Sequence, residues 1–300
     1  MLYHYTSTEA LVSILQTAPS DKGLCFWATR FDCFGDHDEY KLGIEIIKRV
    51  LPRFEKDIQQ DRRVASSFVW EDIKANITLP FPYIVSFTDR YDNEYMWEHY
   101  GCHGGGVVLE LDDSEAVFIK DAPTLATKSC LYEDMISDED LYQEIKAEYF
   151  NGAFHLLTGK MKETAFALLA EWPQIFVILI ARYLLSYVAP RIKRREFYEE
   201  CETRAIIAPP RAELEPFASQ YSDFMKVLKI DPIEFERMTK CEKSRKRMNG
   251  ETVFYQELYL PSRLLLNIYV LDQSLIPKIE KVLSLKGFSA VKVKHVQCEL

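Results

Sequence analysis

The sequence predicts an α+β protein, because segments with strand and helix patterns are mixed without the regular alternation of βαβ units. Strand-like segments rich in β-branched and aromatic residues, such as 83–88, are separated by segments with helical spacing of apolar residues. No internal repeat or low-complexity linker divides the 300 residues. We therefore expect a single domain over 1–300, with helical insertions at about 134–188 and 209–250.

The first 111 residues alternate between short strands and helices. In order, the pattern predicts a strand at 2–6, a helix from about 8, a strand at 24–28, helices at about 39–60 and 62–75, a strand at 83–88, a helix at about 93–99 and a strand at 106–111. Thr6 and Glu9 have the spacing of a capping box, with Thr6 as the cap. The strand at 106–111 is almost continuously apolar, which is typical of a central strand.

The rest of the chain begins with the long helical stretch and returns to strands near its end. The pattern predicts helix over 134–188, a strand at 197–207, a mostly helical charged segment to about 249, strands at 253–260 and 264–271, a helix at 274–285 and an edge strand at 290–295. Residues 240–247 are expected to form the solvated face of a helix.

Composition and charge limit the classes of function. Hydrophobic residues make up 48% and aromatic residues 13% of the chain, enough to fill a sizeable core. The net charge of −9 disfavours extended binding to nucleic acid or to an anionic membrane, although a local basic site around 191–195 stays open. The first thirty residues lack the regions of a signal peptide, and the longest uncharged apolar run is far shorter than the roughly 20 residues that span a bilayer. We therefore expect a cytoplasmic protein without membrane contact.

The seven cysteines are odd in number, scattered, and contain no CxxC pair. This spacing favours reduced thiols over a disulfide framework or a zinc site. His99 and His103 flank Cys102, but glycine at 101 and at 104–106 disfavours a helix that would bring the two imidazoles to one face. We do not expect a metal site in that segment.

His4 is the first candidate functional residue. It lies between Tyr3 and Tyr5 on the strand that leads into the first helix. Free backbone N–H groups at a helix start favour an anionic or polar ligand, so a ligand site at this turn is physically reasonable. A hydrogen-bonded, half-buried structural histidine is the alternative.

Two further segments combine aromatic and polar residues. Trp27 lies on a strand that ends in an acidic turn with Asp36, where capping of the next helix is the structural alternative. Ser86 lies near the end of another strand, followed by Trp97, Tyr100 and a glycine-rich turn. These rings could form a wall for a flat heteroaromatic group, or could pack in the core.

The segment 197–207 carries a row of charged residues. On a strand, Glu200, Glu202 and Arg204 would share one face. Glu202 is then a candidate general base or electrostatic group, with Arg204 holding its geometry and Glu200 raising or tuning its pKa by like-charge proximity. A salt-bridge ladder on a solvated face is the alternative.

Several motifs occur in an order that is more specific than any one of them. They are LYHYTS with ALVSIL, GDHDEY, SFT with MWEHYG, GGGVVLEL, FYEECETR, and YQELYLP with LLLNIYVL. Together they resemble, over nearly the whole chain, the bacterial domain-of-unknown-function family 2971. That family shows LYHYTS, an NDPxE turn, a W-x-x-Y segment before a G-V strand, and an F-x-x-E-x-E-x-R strand. The segment 209–250 fits least well. In the turn, Gly35 and His37 replace Asn and Pro, while Asp36 and Glu39 agree with the pattern.

The layout of that family is similar to the ADP-ribosyltransferase superfamily, which implies a split mixed β-sheet core and NAD as co-substrate. There an early-strand His or Arg contacts the nicotinamide side of NAD, an aromatic residue stacks on nicotinamide, and a late-strand Glu engages the ribose. The resemblance implies catalytic roles for His4, Glu202 and its partner Glu200. It implies NAD binding by His4, Tyr5, Thr6, Trp27, Asp36, Ser86, Trp97, Tyr100 and Arg204.

The expected function is an ADP-ribosyltransferase-like enzyme or NAD glycohydrolase, with protein, nucleic acid or water as acceptor. A role as a bacterial toxin or defence effector, restrained by an inhibitory partner protein, is compatible with this activity. One alternative is a catalytically silent module that senses a nucleotide or other ligand. Another is a hydrolase or nuclease that holds a divalent metal with Asp36, Asp38 and Glu39.

Overall fold

The computed structural model describes residues 1–16, 23–36, 38–60, 81–113, 125–144, 146, 184–207, 242–247 and 249–298. The predicted helix at 62–75 lies outside these residues, as do most of the helical stretch at 134–188 and residues 209–241 of the second stretch. Within the first stretch, the described residues 138–144 are helical and Leu184–Val188 forms a π-helical turn.

Eight of the described strands overlap predicted ones, and the strands at 125–129, 131–132, 192–193 and 243–246 were not predicted. The described strands are β1 (Leu2–Thr6), β2 (Leu24–Arg30), β3 (Tyr83–Thr88), β4 (Val107–Leu111), β5 (Leu125–Ser129), β6 (Leu131–Tyr132), β7 (Ile192–Lys193), β8 (Glu202–Ile207), β9 (Lys243–Lys246), β10 (Thr252–Leu260), β11 (Leu265–Val270) and β12 (Lys292–His295).

The helices are α1 (Thr8–Ile14), α2 (Glu39–Gln60), α3 (Glu94–His99) and α4 (Ile276–Lys286), with short 3-10 turns at Phe31–Cys33, Ala189–Arg191, Arg195–Glu200, Ser262–Leu264 and Gln273–Leu275. Among the described residues, no helix combines the length and apolar character needed to cross a membrane.

Ten strands form one mixed sheet, which confirms the α+β class. Its main path runs β12-β11-β4-β1-β3-β2-β10-β9, with β8 paired to β3 and β5 paired to β8. The pair β11 and β12 is parallel, and the other described pairs in this sheet are antiparallel. β4 lies between β1 and β11 with all five residues buried, as predicted for a central strand. β12 ends the path, as predicted for an edge strand.

The sheet divides at β3. One edge of β3 pairs with β8 along its whole length. On the other edge, Thr88 pairs with Tyr3 of β1, whereas Tyr83 and Ile84 pair with β2. Among the described strands, Val85 and Ser86 have no register partner on this edge. We call this gap between β1 and β2 the fork, and backbone groups beside it need other partners.

Strand alternation assigns the residues of β1 to opposite faces of the sheet. Leu2 packs in the main core with side chains of α1 and α4, including Leu11 and Ile279. Tyr3 and Tyr5 point to the other face and pack in a second cluster. His4 follows the period of two and lies on the same face as Leu2.

The cap of α1 is Ser7, so the prediction of Thr6 as the cap was wrong. Ser7 Oγ accepts a hydrogen bond of 3.1 Å from the backbone N–H of Ala10. Thr6 pairs with Val107 of β4 and is still part of the strand. Pairing in the sheet therefore keeps Thr6 in the strand and leaves the cap position to Ser7.

The predicted strand at 197–207 was wrong in its first half. Arg195–Glu200 forms a 3-10 turn, and Cys201 follows it in the left-handed region with φ of 45°. Only Glu202–Ile207 is extended, because those residues pair with β3 and β5. Glu200 and Glu202 therefore do not share one face of a single strand, as the sequence analysis had expected.

The predicted helix face at 240–247 was also wrong in its described part. Lys243–Lys246 forms β9 and pairs antiparallel with β10. Its four side chains are exposed. Charged residues on an edge strand keep the sheet from pairing with other chains. The same charge pattern also fits the solvated face of a helix, so the pattern alone does not distinguish the two structures.

Candidate functional site

A cleft of about 450 Å³ opens at the fork. Its volume lies in the range of roughly 300–1,000 Å³ that is typical of small-molecule sites. The cleft is lined by most of the residues that the sequence singled out: His4, Tyr5, Trp27, Asp36, Ser86, Tyr100, Glu200, Glu202 and Arg204. Residues far apart in the chain therefore meet because β1, β2, β3 and β8 converge.

His4 fills the gap in strand pairing at the fork. Its Nδ1 donates a hydrogen bond of 2.9 Å to the backbone carbonyl of Ser86, so the proton of the neutral ring is on Nδ1 and Nε2 keeps a free lone pair. Phe26 and Phe87 pack edge-on or tilted against the ring, with centroids 5.1 and 5.7 Å away. Burial lowers the pKa of His4, and the Ser86 bond opposes this only in part. His4 is therefore both a structural residue and a hydrogen-bond acceptor available to a ligand.

Of the four aromatic residues predicted at the site, Tyr5, Trp27 and Tyr100 line the cleft and Trp97 does not. The Trp27 side chain is 40% exposed and stacks on Tyr255, while Tyr100 is 46% exposed. Trp97 is fully buried and packs against Tyr5, so its predicted role as a stacking wall was wrong. It lies on the inner face of α3, which covers the Tyr5 side of the sheet.

Thr6 is separated from this cleft. It lines a second cavity of about 410 Å³, which shares His4 and Trp27 with the first. The strand period turns the Thr6 side chain to the same face as His4, but toward the α1 end of β1.

Glu202 lies at the start of β8 in a charged environment. Both of its carboxylate oxygens accept hydrogen bonds of 2.9 Å from Arg204, and Oε2 accepts another of 2.7 Å from Lys193 Nζ. All three side chains are buried. The alternative prediction, a salt-bridge ladder on a solvated face, is therefore wrong, because these charges lie inside the protein. We refer to Glu39, Lys193, Glu200, Glu202 and Arg204 as the charged cluster.

The charged cluster keeps Glu202 ionised. Burial alone would raise its pKa, but the positive charges of Arg204 and Lys193 and their hydrogen bonds outweigh burial and lower it. The expectation that Glu200 raises this pKa was wrong. A carboxylate with a lowered pKa is a poor proton acceptor at neutral pH, so Glu202 is suited to fixed electrostatic stabilisation rather than general base catalysis.

Glu200 reaches the cluster from the end of the 3-10 turn. Lys193 Nζ donates a hydrogen bond to its Oε2, and the Tyr100 hydroxyl donates one of 2.8 Å to its Oε1. Burial and the charge of Glu200 raise the pKa of Tyr100. Tyr100 is therefore held as a neutral phenol, with its ring at the cleft wall.

Lys193 is the group that the sequence analysis missed. It belongs to β7 and joins Glu200 to Glu202 while it is only 5% exposed. Burial would lower its pKa, but the charge of Glu202 raises it above its ordinary value. The sequence shows Lys193 only as part of a basic run. The apolar Ile192 beside it was a weak signal that part of this run is buried.

Glu39 also enters the site, from the first turn of α2. It is 4% exposed, and its Oε1 lies 2.6 Å from Arg204 Nη1. This contact is a buried ion pair, so Oε1 faces the guanidinium of Arg204. Burial raises the pKa of Glu39 despite the opposing charge of Arg204.

The acidic turn does not assemble as the metal alternative requires. Asp38 Oδ1 lies 2.7 Å from Lys41 Nζ, and Asp36 Oδ2 lies 3.6 Å from Arg194. Glu39 points to Arg204 instead. Within the described part of the chain, no group of three or more His, Cys, Asp or Glu side chains could hold a metal ion.

The fold and the cleft define this chain as an α+β protein whose cleft combines aromatic walls with a buried cluster of acids and bases. Residues 96–205, just over a third of the chain, match the family described as Protein of unknown function (DUF2971). The matched segment runs from α3 through most of β8 and carries Tyr100, Glu200, Glu202 and Arg204. The motif resemblance is thus supported over that segment. No curated protein and no solved structure matches the chain.

Proposed function

We propose that this protein is an NAD-dependent ADP-ribosyltransferase-like enzyme or an NAD glycohydrolase. The observation that carries the proposal is the meeting of His4, Ser86 and Glu202 on three adjacent strands, β1, β3 and β8, at one cleft. An imidazole acceptor and a fixed carboxylate are groups that can bind a nicotinamide riboside. The resemblance to the superfamily makes the same assignment to His4 and Glu202.

The residues present fit this ligand chemically. His4 Nε2 can accept a hydrogen bond from a carboxamide N–H or a ribose hydroxyl, since Nδ1 is committed to Ser86. Trp27 and Tyr100 offer faces against which a flat ring can pack. Glu200 and Glu202 line the same cleft, and carboxylates can stabilise the positive charge that develops on the ribose.

Glu202 would act on the transition state. Breakage of the bond between the ribose and nicotinamide places positive charge on the ribose ring, and a nearby carboxylate stabilises this charge. Arg204 and Lys193 hold Glu202 in one position and keep it ionised. Such preorganised groups need no rearrangement during the reaction, and the loss of one typically costs about 2.7–4 kcal/mol.

The test is nicotinamide release from NAD by the purified protein and by Glu202→Asp. This variant keeps the charge that Lys193 and Arg204 require but withdraws the carboxylate by one methylene. We expect the rate to fall about 100-fold, as for a misplacement of about 1 Å. Glu196→Gln is the matched control, because Glu196 is an exposed acid in the neighbouring turn. Full activity in Glu202→Asp would refute the role of Glu202.

A ligand-sensing module is the second candidate, favoured by a specific observation. The oxygens of Glu202 are already occupied by hydrogen bonds from Arg204 and Lys193. Isothermal titration with NAD separates the two functions. Binding without nicotinamide release would favour the sensor, whereas release would favour the enzyme. A role as a toxin or defence effector, restrained by an inhibitory partner protein, is proposed only together with the enzyme activity.

A further inference from the structure

The second cavity, of about 410 Å³, adjoins the cleft. The two share His4, Trp27 and Val85 as walls, and Val85 lies at the fork. The other walls of the second cavity come mainly from the start of α1 and from β2. The cleft and the second cavity are therefore adjoining parts of one groove, which follows the gap between β1 and β2.

The charges of the cleft are unfavourable for phosphate groups. Six charged side chains line it among the described residues: Asp36, Glu39, Glu200, Glu202, Lys193 and Arg204. The acids outnumber the bases, and both bases already donate hydrogen bonds to acids of the charged cluster. The cleft therefore suits a ribose that develops positive charge, but it repels the two phosphates of NAD.

Arg245 supplies a positive charge in the second cavity. It extends from β9 and is the only Lys or Arg among the described residues that line this cavity. Its guanidinium carbon lies 5.0 Å from the centre of the Trp27 ring, and Trp27 in turn stacks on Tyr255. A guanidinium held over an aromatic ring keeps its N–H groups available, and their fork geometry matches phosphate oxygens. Trp27 therefore supports Arg245 beside the wall that the two cavities share.

The neighbouring cations on the same edge of the sheet are paired with acids. Lys243 Nζ lies 2.6 Å from Glu257, and Arg247 Nη1 lies 3.4 Å from Glu251. Within the part of the chain that the structure describes, Arg245 has no acidic partner and contacts the Trp27 ring instead. Its charge is therefore available to an anionic ligand.

We propose, resting on the proposed function, that Arg245 binds the pyrophosphate of NAD and makes the site specific for a dinucleotide. The nicotinamide riboside then lies in the cleft, the pyrophosphate lies at Arg245 and the adenosine lies in the second cavity. Glu9 lines this cavity from α1, and its carboxylate can accept hydrogen bonds from the hydroxyls of the adenosine ribose. The same carboxylate would repel phosphate, which places the pyrophosphate on the side of β9.

Calorimetric titration of the full chain with ADP-ribose tests this assignment, because ADP-ribose carries the pyrophosphate and its binding needs no turnover. Arg245→Gln should weaken ADP-ribose binding by about 10- to 100-fold, as expected for the loss of a hydrogen bond to a charged group. Arg245→Lys should recover part of this affinity, since it keeps the charge without the fork geometry. Lys246→Gln is the matched control. Lys246 is an exposed cation of the same strand, and strand alternation turns its side chain to the opposite face of the sheet.

Nicotinamide release provides a second readout. Arg245→Gln should raise the KM for NAD by a similar factor with little change in kcat, because the pyrophosphate takes no part in the bond that breaks and is bound equally in the ground and transition states. The kcat/KM for nicotinamide riboside, which has no phosphate, should be the same in Arg245→Gln and the wild type. A loss of activity through damage to the fold would lower both values.

The outcomes separate this inference from the proposed function. If the wild type releases nicotinamide and Arg245→Gln matches it in ADP-ribose affinity and in KM for NAD, the role of Arg245 is overturned alone. Equal weakening by Lys246→Gln would also overturn it, because the effect would then reflect overall charge. A wild type that binds ADP-ribose through Arg245 but releases no nicotinamide would overturn the enzyme and support the pyrophosphate site. A wild type that neither binds ADP-ribose nor releases nicotinamide would overturn both.

Discussion

Lys193 Nζ lies 2.7 Å from Glu202 Oε2, and both side chains are about 95% buried. The two residues belong to different sheets, because β7 pairs with β6 and β8 lies in the main sheet. Their contact joins the small parallel pair to the fork of the large sheet. It also fixes the negative charge of Glu202 at the wall of the cleft.

Glu202→Gln is expected to destabilise the fold. The change withdraws the charged acceptor oxygens that Arg204 and Lys193 share in the interior, and a buried donor left without its acceptor typically costs about 1–3 kcal/mol, more for a charged group. Urea denaturation of the variant and the wild type measures the difference in the free energy of unfolding. Glu196→Gln, at an exposed position, should change it by about 0.5 kcal/mol or less. Equal stability of Glu202→Gln and the wild type would contradict the buried ion pairs.

His4 should make stability depend on pH below its ordinary pKa of 6.5. Burial lowers the pKa of His4 in the fold, so between the folded pKa and 6.5 the unfolded chain binds more protons. The contribution of His4 is therefore fully present above pH 6.5 and is lost as pH falls toward the lowered folded pKa.

Urea denaturation at several pH values between 7.5 and 5, with His4→Gln as the matched variant, isolates this effect. The difference in unfolding free energy between wild type and variant should shrink as the pH falls. A difference that stays constant over this range would show that His4 is not kept neutral by the fold. Glu39 acts in the opposite direction, because its pKa is raised, and it is common to both proteins.

Trp97 and Trp27 should respond differently to replacement by alanine. Trp97 is fully buried against Tyr5, so Trp97→Ala should cost about 3–5 kcal/mol of stability. Trp27 is half-exposed at the cleft and stacks on Tyr255, so Trp27→Ala should cost about 1 kcal/mol. Thermal or urea denaturation measures both.

The variants Trp27→Ala and Trp97→Ala also test whether the cleft is the ligand site. Calorimetric titration with NAD should show weaker binding by Trp27→Ala, because a wall of the cleft is removed. If Trp27→Ala binds NAD as tightly as the wild type does, Trp27 has no role in the ligand site. Trp97→Ala, where it folds, should change binding only as far as it disturbs Tyr5.

The predicted secondary structure is most accurate where local pattern and sheet pairing agree. Tyr83–Thr88 has the predicted bounds, and Val107–Leu111 is a central strand as expected. The failures lie where tertiary contacts override the local pattern. The charged Lys243–Lys246 segment forms a strand because β10 offers an edge for pairing. The start of β8 is set by pairing with β3 and β5, not by the alternation of residues from 197 onward.

The candidate site was predicted in its main residues but not in its electrostatics. The motifs indicated His4, Tyr100, Glu200, Glu202 and Arg204, and these residues do lie at one cleft. No pattern within a single strand could show that Lys193 reaches the same carboxylates from another sheet. The sign of the pKa shift of Glu202 depends on that contact and on burial, so a like-charge argument from E-x-E spacing gave the wrong direction.

The sequence by itself determined the α+β class, the bounds of several strands and the set of residue types at the cleft. These depend on periodicity, turn residues and short-range order, which are local properties of the chain. Only the tertiary structure decided which aromatic rings line the cleft, that Glu39 and Lys193 join it, and that the pKa of Glu202 is lowered while that of Glu39 is raised. The physical reason is that burial and electrostatic energy depend on distances between residues remote in sequence. Here the fork at β3 sets those distances.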